Sequence, residues 1–216
     1  MPTTIHSRLE TIKSSIEGSQ CTLVAVSKTK PNELVMEAYD AGQRDFGENK
    51  VQDLVAKAEA LPEDIKWHMI GHLQRNKVKY IVPFVHLIHG VDSEKLLKEI
   101  DKQAAKVNRI VSCLLQVHIA KEDTKFGFSA EEIEQLLSND GLSKYPNVKI
   151  EGLMGMATFT DDKSQVAEEF ASLKSLFDQY NWDILSMGMS GDYQIAIEQG
   201  SNMIRVGTAI FGERNY

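Results

Sequence analysis

The feature that most constrains this chain is a strict alternation of short apolar runs with helix-like segments. The runs fall at residues 22–26, 44–49, 67–70, 85–91, 110–117, 148–154, 183–187 and 203–206. The first of them, Thr22-Leu-Val-Ala-Val26, is continuously apolar and rich in β-branched residues, the pattern of a strand covered on both faces. Between them lie segments of helical period. Residues 34–41 stop at Gly42, residues 51–61 put Val51, Leu54, Val55 and Ala58 on one face, and residues 193–199 stop at Gly200. Leu97, Ile100 and Ala104 align in residues 94–107 after an Asp92-Ser93 capping signal, and Val166, Phe170, Leu173 and Phe177 align in residues 162–180. Ser129 with Glu132 three residues on has capping-box spacing. One further helix, residues 7–17, precedes the first strand.

Alternation of this kind favours a parallel sheet, because parallel neighbours need a crossover and a helix supplies it. Eight units predict an α/β fold with a single (β/α)8 TIM barrel spanning residues 1–216. A doubly wound open sheet is the alternative, since periodicity does not report closure. A formal net charge of −7 argues against nucleic acid as a partner, because phosphate backbones need a positive face. The opening Met1-Pro-Thr-Thr-Ile-His-Ser7 lacks the apolar core of a signal peptide, and no apolar run is long enough to span a bilayer. Cys21 and Cys113 have no metal-ligand spacing. The expectation is a cytoplasmic protein with reduced thiols and no membrane partner.

In a barrel the carboxyl ends of all eight strands share one rim, where such folds place their chemistry. The rim would gather Ser27-Lys28, Glu48-Asn49, Gly71-His72, Met154-Gly155, Ser190-Gly191, and Arg205 with Gly207-Thr208. The last two strand ends combine glycine with a hydroxyl residue just before a helix, a combination suited to an anionic group; tight turns need the same glycines. Arg205 interrupts the apolar run Met203-Ile-Arg-Val206 and must be paired, snorkelling or turned to a ligand. Lys28 on its own reads first as an exposed loop lysine, and its place at the carboxyl end of a buried strand offers a site residue as the other reading. There is no GxGxxG, GxxxxGK[ST] or GxSxG motif. His68 and His72 are four apart, but in a strand end that spacing does not give a common face, so no metal site is expected.

The blocks Val24-Ala-Val-Ser-Lys28-Thr-Lys, Phe46-Gly-Glu-Asn49, Trp67-His-Met-Ile-Gly-His-Leu-Gln-Arg-Asn-Lys77, Glu151-Gly-Leu-Met154, Ser186-Met-Gly-Met-Ser190-Gly-Asp192 and Arg205-Val-Gly-Thr-Ala-Ile-Phe-Gly212 follow one another along the chain. Together they resemble the YggS/PROSC family of pyridoxal phosphate homeostasis proteins. The resemblance implies a barrel like the N-terminal domain of alanine racemase, a fold-type III arrangement. It also implies pyridoxal 5′-phosphate (PLP) as the cofactor, held as an internal Schiff base on Lys28. It further implies phosphate binding by Ser190, Gly207 and Thr208, Arg205 facing the pyridine nitrogen, and Asn49 near the ring. His72 and Met154 join the expected pocket by strand-end position alone.

Attack on the cofactor aldehyde requires a neutral amine, so desolvation and the charge of Arg205 would lower the Lys28 pKa. An arginine at the ring nitrogen disfavours pyridinium and so mutes carbanion chemistry. That suits a PLP carrier or regulator in vitamin B6 homeostasis, with PLP-dependent enzymes as clients, rather than an enzyme. The alternative is a PLP-dependent amino-acid racemase. In the resembling racemases the second acid/base comes from a further domain, and this chain ends ten residues after its last strand, from which a monomeric, non-catalytic protein is expected. Residual racemase-type activity is compatible with that expectation.

Overall fold

The structure is a computed structural model that describes residues 4–121 and 126–213. Eight strands carry the sheet: β1 (Thr22–Val26), β2 (Asp45–Glu48), β3 (Lys66–Met69), β4 (Leu87–Val91), β5 (Val111–Gln116), β6 (Val148–Met154), β7 (Ile184–Ser186) and β8 (Met203–Val206). Each pairs in parallel with the next, and β8 returns to β1 with Val24 opposite Arg205, closing the barrel. Closure selects the TIM barrel over the open sheet and removes the exposed edges that an open sheet would leave. All strands run the same way, so every carboxyl end lies on one rim.

The helices are α1 (Ile5–Ser15), α2 (Asn32–Asp40), α3 (Val51–Ala60), α4 (Val78–Ile81), α5 (Glu94–Lys106), α6 (Ala130–Leu137), α7 (Lys163–Phe177), α8 (Tyr193–Glu198) and α9 (Thr208–Phe211). After β8 the chain has no further strand to return to, and α9 has only four residues. Helix α1, which precedes the barrel, packs against both α2 and α9 and covers the wall that α9 is too short to cover. Its buried Ile5, Leu9 and Ile12 join the continuous core between strands and helices. A second, smaller cluster fills the barrel itself: Val24, Leu87, Leu114, Met154 and Met203.

Local signals act largely as anticipated. Ser129 and Glu132 form both halves of the capping box on α6, and Asp162 accepts from the backbone N–H groups of Ser164 and Gln165 at the start of α7. Gly42 and Gly200 take φ of +83° and +91° just past their helices, the left-handed geometry that glycine adopts without a Cβ penalty. Two details differ. Ser93 occupies the N-cap of α5, but its hydroxyl donates to Asp92 instead of capping the helix. Residues Ser138–Lys144 form a 3-10 segment that no sequence period announces. Among the described residues, no helix is long and apolar enough to cross a membrane.

Candidate functional site

The site is built on the turn that ends β1. Ser27 is fully buried, and its carbonyl accepts from the backbone N–H of Lys30 at 3.0 Å, closing a tight turn with Lys28 and Thr29 in its centre. Thr29 has φ of +64°, a costly conformation for a β-branched residue that the surrounding bonds must hold. One such bond comes from Lys57 on α3, whose Nζ donates to the Ser27 carbonyl at 2.7 Å. The same Nζ reaches Glu48 Oε1 at 2.6 Å, and the Ser27 hydroxyl donates to that oxygen at 2.7 Å. Burial pushes the Glu48 carboxyl above its ordinary range, against the opposing pull of Lys57 and Ser27. Lys28 therefore rises from a base pinned by a buried ion pair.

Lys28 lines a cavity of about 470 Å³ at the carboxyl rim of the barrel. Asn49, Ser190, Arg205, Gly207 and Thr208 line the same cavity. The chain thus converges on one space from β1, β2, β7 and β8, which are far apart in sequence. Ser190 Oγ accepts from the Gly207 N–H at 3.2 Å, tying the β7 loop to the β8 loop. A Cβ on Gly207 would come within 3.1 Å of the Val26 carbonyl, so a side chain there would press on β1. A Cβ on Gly191 would meet nothing within 4 Å, which leaves open space for a group to approach its backbone.

Arg205 is 4% exposed. Its Nη1 donates to Ser186 Oγ at 2.6 Å and its Nη2 to the Gly155 carbonyl at 3.1 Å. Among the described residues, no carboxylate forms an ion pair with it. The side chain neither snorkels nor makes a structural salt bridge, and a buried cation held only by neutral acceptors favours a ligand with a lone pair or negative charge. Burial pushes its pKa down, to about 10, with Asp192 opposing; that is still far above neutral, so the guanidinium stays charged.

Two expected residues lie elsewhere. Met154 is 1% exposed and belongs to the apolar filling of the barrel, while the neighbouring Gly155 supplies the carbonyl that Arg205 uses. His72 does not line the 470 Å³ cavity: its Nδ1 pairs with Asp92 Oδ2 at 3.0 Å and its ring stacks on Phe126. His68 and His72 do not converge, for His68 is buried inside the barrel. Asp45, His68 and His86 hold ligand-type atoms within 4.8 Å of one another, but both His68 ring nitrogens are taken by Asp45 and His89. Lys30, the nearest rival to Lys28, is committed to the carbonyls of Phe211, Gly212 and Glu213. Lys125 lies outside the described residues. Burial raises both thiols, Cys21 to about 11 and Cys113 further, so neither is a ready nucleophile.

Sequence reasoning passed over Ser186, His89 and the apolar lining residues Ile70, Met156 and Met189. For Ser186 and His89 the signal was available, since each is a polar residue inside an apolar strand, as Arg205 is. The apolar lining carries no such mark.

The family described as "Alanine racemase, N-terminal domain" matches residues 2–215. The pyridoxal phosphate homeostasis protein of Aquifex aeolicus is 40% identical over 220 residues, which cover 96% of each chain. PipY of Synechococcus elongatus, solved with and without PLP, is 36% identical over 97% of this chain and 100% of its own. Its TM-scores are 0.90 without PLP and 0.87 with PLP bound. Alanine racemase from Bartonella henselae shares the fold at 15% identity, with a TM-score of 0.77 over 98% of this chain and 60% of its own.

Proposed function

Because this chain belongs to the pyridoxal phosphate homeostasis proteins, within the alanine racemase N-terminal domain family, we propose that it binds PLP and serves PLP homeostasis as a carrier or regulator. The observation that carries this reading is the meeting of Lys28 and the buried Arg205 in one cavity with the Ser190, Gly207 and Thr208 loops. PLP needs an amine for its aldehyde, a cradle for its phosphate and a partner for its ring nitrogen. The cavity offers two amines, Lys28 and Lys30, with one such cradle and one buried cation.

Lys28 is the covalent anchor. Its alternative, Lys30, is held by three carbonyls. The hydroxyls of Ser190 and Thr208 and the backbone around Gly191 and Gly207 receive the phosphate, where an approaching oxygen meets no Cβ at Gly191. Asn49 would lie near the ring. Arg205 would face the ring nitrogen as a cation, and a second positive charge on that nitrogen would be repelled. Bound PLP supplies an electron sink, and its strength depends on protonation of that nitrogen. By keeping the nitrogen unprotonated, Arg205 makes the site better at holding the cofactor than at using it.

The role is thus one of binding rather than turnover, in the cytoplasm, with the described barrel as a single PLP-binding unit. PLP-dependent enzymes are the partners such a carrier would serve, and a monomer is the form proposed. Two thiols unpaired in the structure accord with a reducing compartment. Borohydride reduction of the PLP-loaded protein, followed by peptide mapping, tests the reading. The label should sit on the peptide carrying Lys28, and a label confined to Lys30 or Lys125 would overturn the assignment. Absence of any protein-bound visible absorbance band after incubation with PLP and removal of the free cofactor by gel filtration would overturn the function itself.

A further inference from the structure

A line of five polar side chains crosses the barrel interior and ends on Arg205. Asp45 Oδ1 lies 3.1 Å from His68 Nε2, and His68 Nδ1 lies 2.9 Å from His89 Nε2. His89 Nδ1 lies 3.0 Å from Ser186 Oγ, which accepts from Arg205 Nη1 at 2.6 Å. The residues come from β2, β3, β4, β7 and β8, so the line joins opposite walls of the barrel. His68, His89 and Ser186 have no exposed surface. Asp45 stands at the amino end of β2, away from the rim that carries the cavity.

The chemistry of the groups sets the direction of every link. A guanidinium only donates, so Ser186 must accept from Arg205. The other partner of Ser186 Oγ among the described residues is His89 Nδ1. A hydrogen on Nδ1 would leave the Ser186 hydroxyl hydrogen buried without an acceptor, which is unfavourable. Ser186 therefore donates to His89 Nδ1, and His89 carries its hydrogen on Nε2. That hydrogen goes to His68 Nδ1, and His68 in turn donates from Nε2 to the Asp45 carboxylate. Electrostatics act in the same sense. Burial, with the nearby charge of Arg205, drives His89 well below its ordinary pKa and keeps it neutral. Burial alone would raise Asp45, but the His68 bond and the neighbouring Lys66 hold its carboxyl below the usual range.

We propose that Asp45, His68, His89 and Ser186 are positioning residues for Arg205, a one-way hydrogen-bond line that fixes the orientation of its guanidinium. Arg205 presents its charge to the cavity in one rotamer because Ser186 is itself held with a lone pair toward Nη1. The Asp45 carboxylate closes the line as a remote counter-charge. The consequence for PLP rests on the reading of Arg205 as the partner of the ring nitrogen; the direction of the line does not.

The experiment therefore has a cofactor-free arm and a loaded arm. In the apoprotein, 15N NMR should find His68 and His89 both as neutral Nε2–H tautomers, and an Nδ1–H tautomer at either ring overturns the proposal. In the PLP-loaded protein, His89→Leu should weaken PLP binding on the order of tenfold, the scale of one lost hydrogen bond, and shift the absorbance maximum. His89→Asn, which restores an acceptor near the Nδ1 position, should recover much of both. A folded His89→Leu protein with wild-type affinity and spectrum overturns the proposal. Should His89→Leu fail to fold, Asp45→Ala at the far end decides: a smaller shift in the same sense supports the line, and an unchanged spectrum and affinity overturns it. A wild-type protein that takes up no PLP refutes the cofactor reading, while the tautomers still decide the line.

Discussion

Replacing Lys57 by Met removes the cation beneath the Lys28 turn and leaves Glu48 buried with the Ser27 hydroxyl as its remaining donor. Lys57 is nearly buried and Glu48 wholly so, at 9% and 0% side-chain exposure. Glu48 Oε2 already lacks a hydrogen-bond partner among the described residues, so loss of Lys57 adds to an existing deficit. Breaking a buried pair by removing one partner costs about 3–5 kcal/mol. For a domain of this size each kcal/mol lowers Tm by roughly 2–4 °C. The expected fall is therefore about 6–20 °C near pH 8 in a thermal melt followed by circular dichroism.

The pH dependence has a definite sign. Glu48 has its folded pKa raised, so its contribution to stability is full below the unfolded value and is lost as pH rises through the folded one. Without Lys57 the folded value rises further, so the deficit of Lys57→Met should narrow as pH is lowered from near 8 toward about 5. Adding Glu48→Gln to Lys57→Met removes the stranded charge and should recover most of the lost Tm. A Lys57→Met protein that melts within about 2 °C of wild type, or a double variant no better than the single one, would refute the reasoning.

The remaining expectations concern the cavity and its frame. Lys28→Ala should abolish the reducible covalent label; persistent label would move the anchor elsewhere. Arg205→Glu should favour a protonated ring, altering the cofactor spectrum and raising side reactivity toward amino acids. An unchanged spectrum in a folded, loaded variant would count against Arg205 facing the nitrogen. Wild-type holoprotein given L-alanine should show no racemisation at ordinary enzymatic rates of ~1–10³ s⁻¹, measured by chiral chromatography. Glu169 accepts from the Thr158 backbone, the Thr158 hydroxyl and Gln165, and these bonds outweigh its burial to hold the carboxyl below its usual range. Its stabilisation is present above the unfolded pKa and lost as pH falls through the folded one. Glu169→Ala should therefore cost about 1–3 kcal/mol near neutrality and progressively less as acid protonates the wild-type group.

The alternation of apolar runs and helical periods determined the eight strands, their parallel direction and their common rim, because a parallel neighbour requires a crossover. It also placed Lys28, Asn49, Ser190, Arg205, Gly207 and Thr208 at strand ends, where a barrel brings them together. Period and propensity act within a few residues, and so they left the 3-10 segment at Ser138–Lys144 and the diversion of Ser93 to Asp92 unannounced.

Tertiary structure alone decided what each rim residue faces. His72 and Met154 sit at strand ends as Lys28 does, yet one bonds Asp92 and the other fills the barrel. Closure of β8 onto β1 set Arg205 beside the strand that leads to Lys28. Pairing of β2 with β1 brought Glu48 and Lys57 beneath the turn, and the closed barrel ran Asp45, His68, His89 and Ser186 in line to Arg205. Those contacts join residues up to 97 positions apart. Their partners are chosen by barrel closure and register, which no local stretch of sequence encodes.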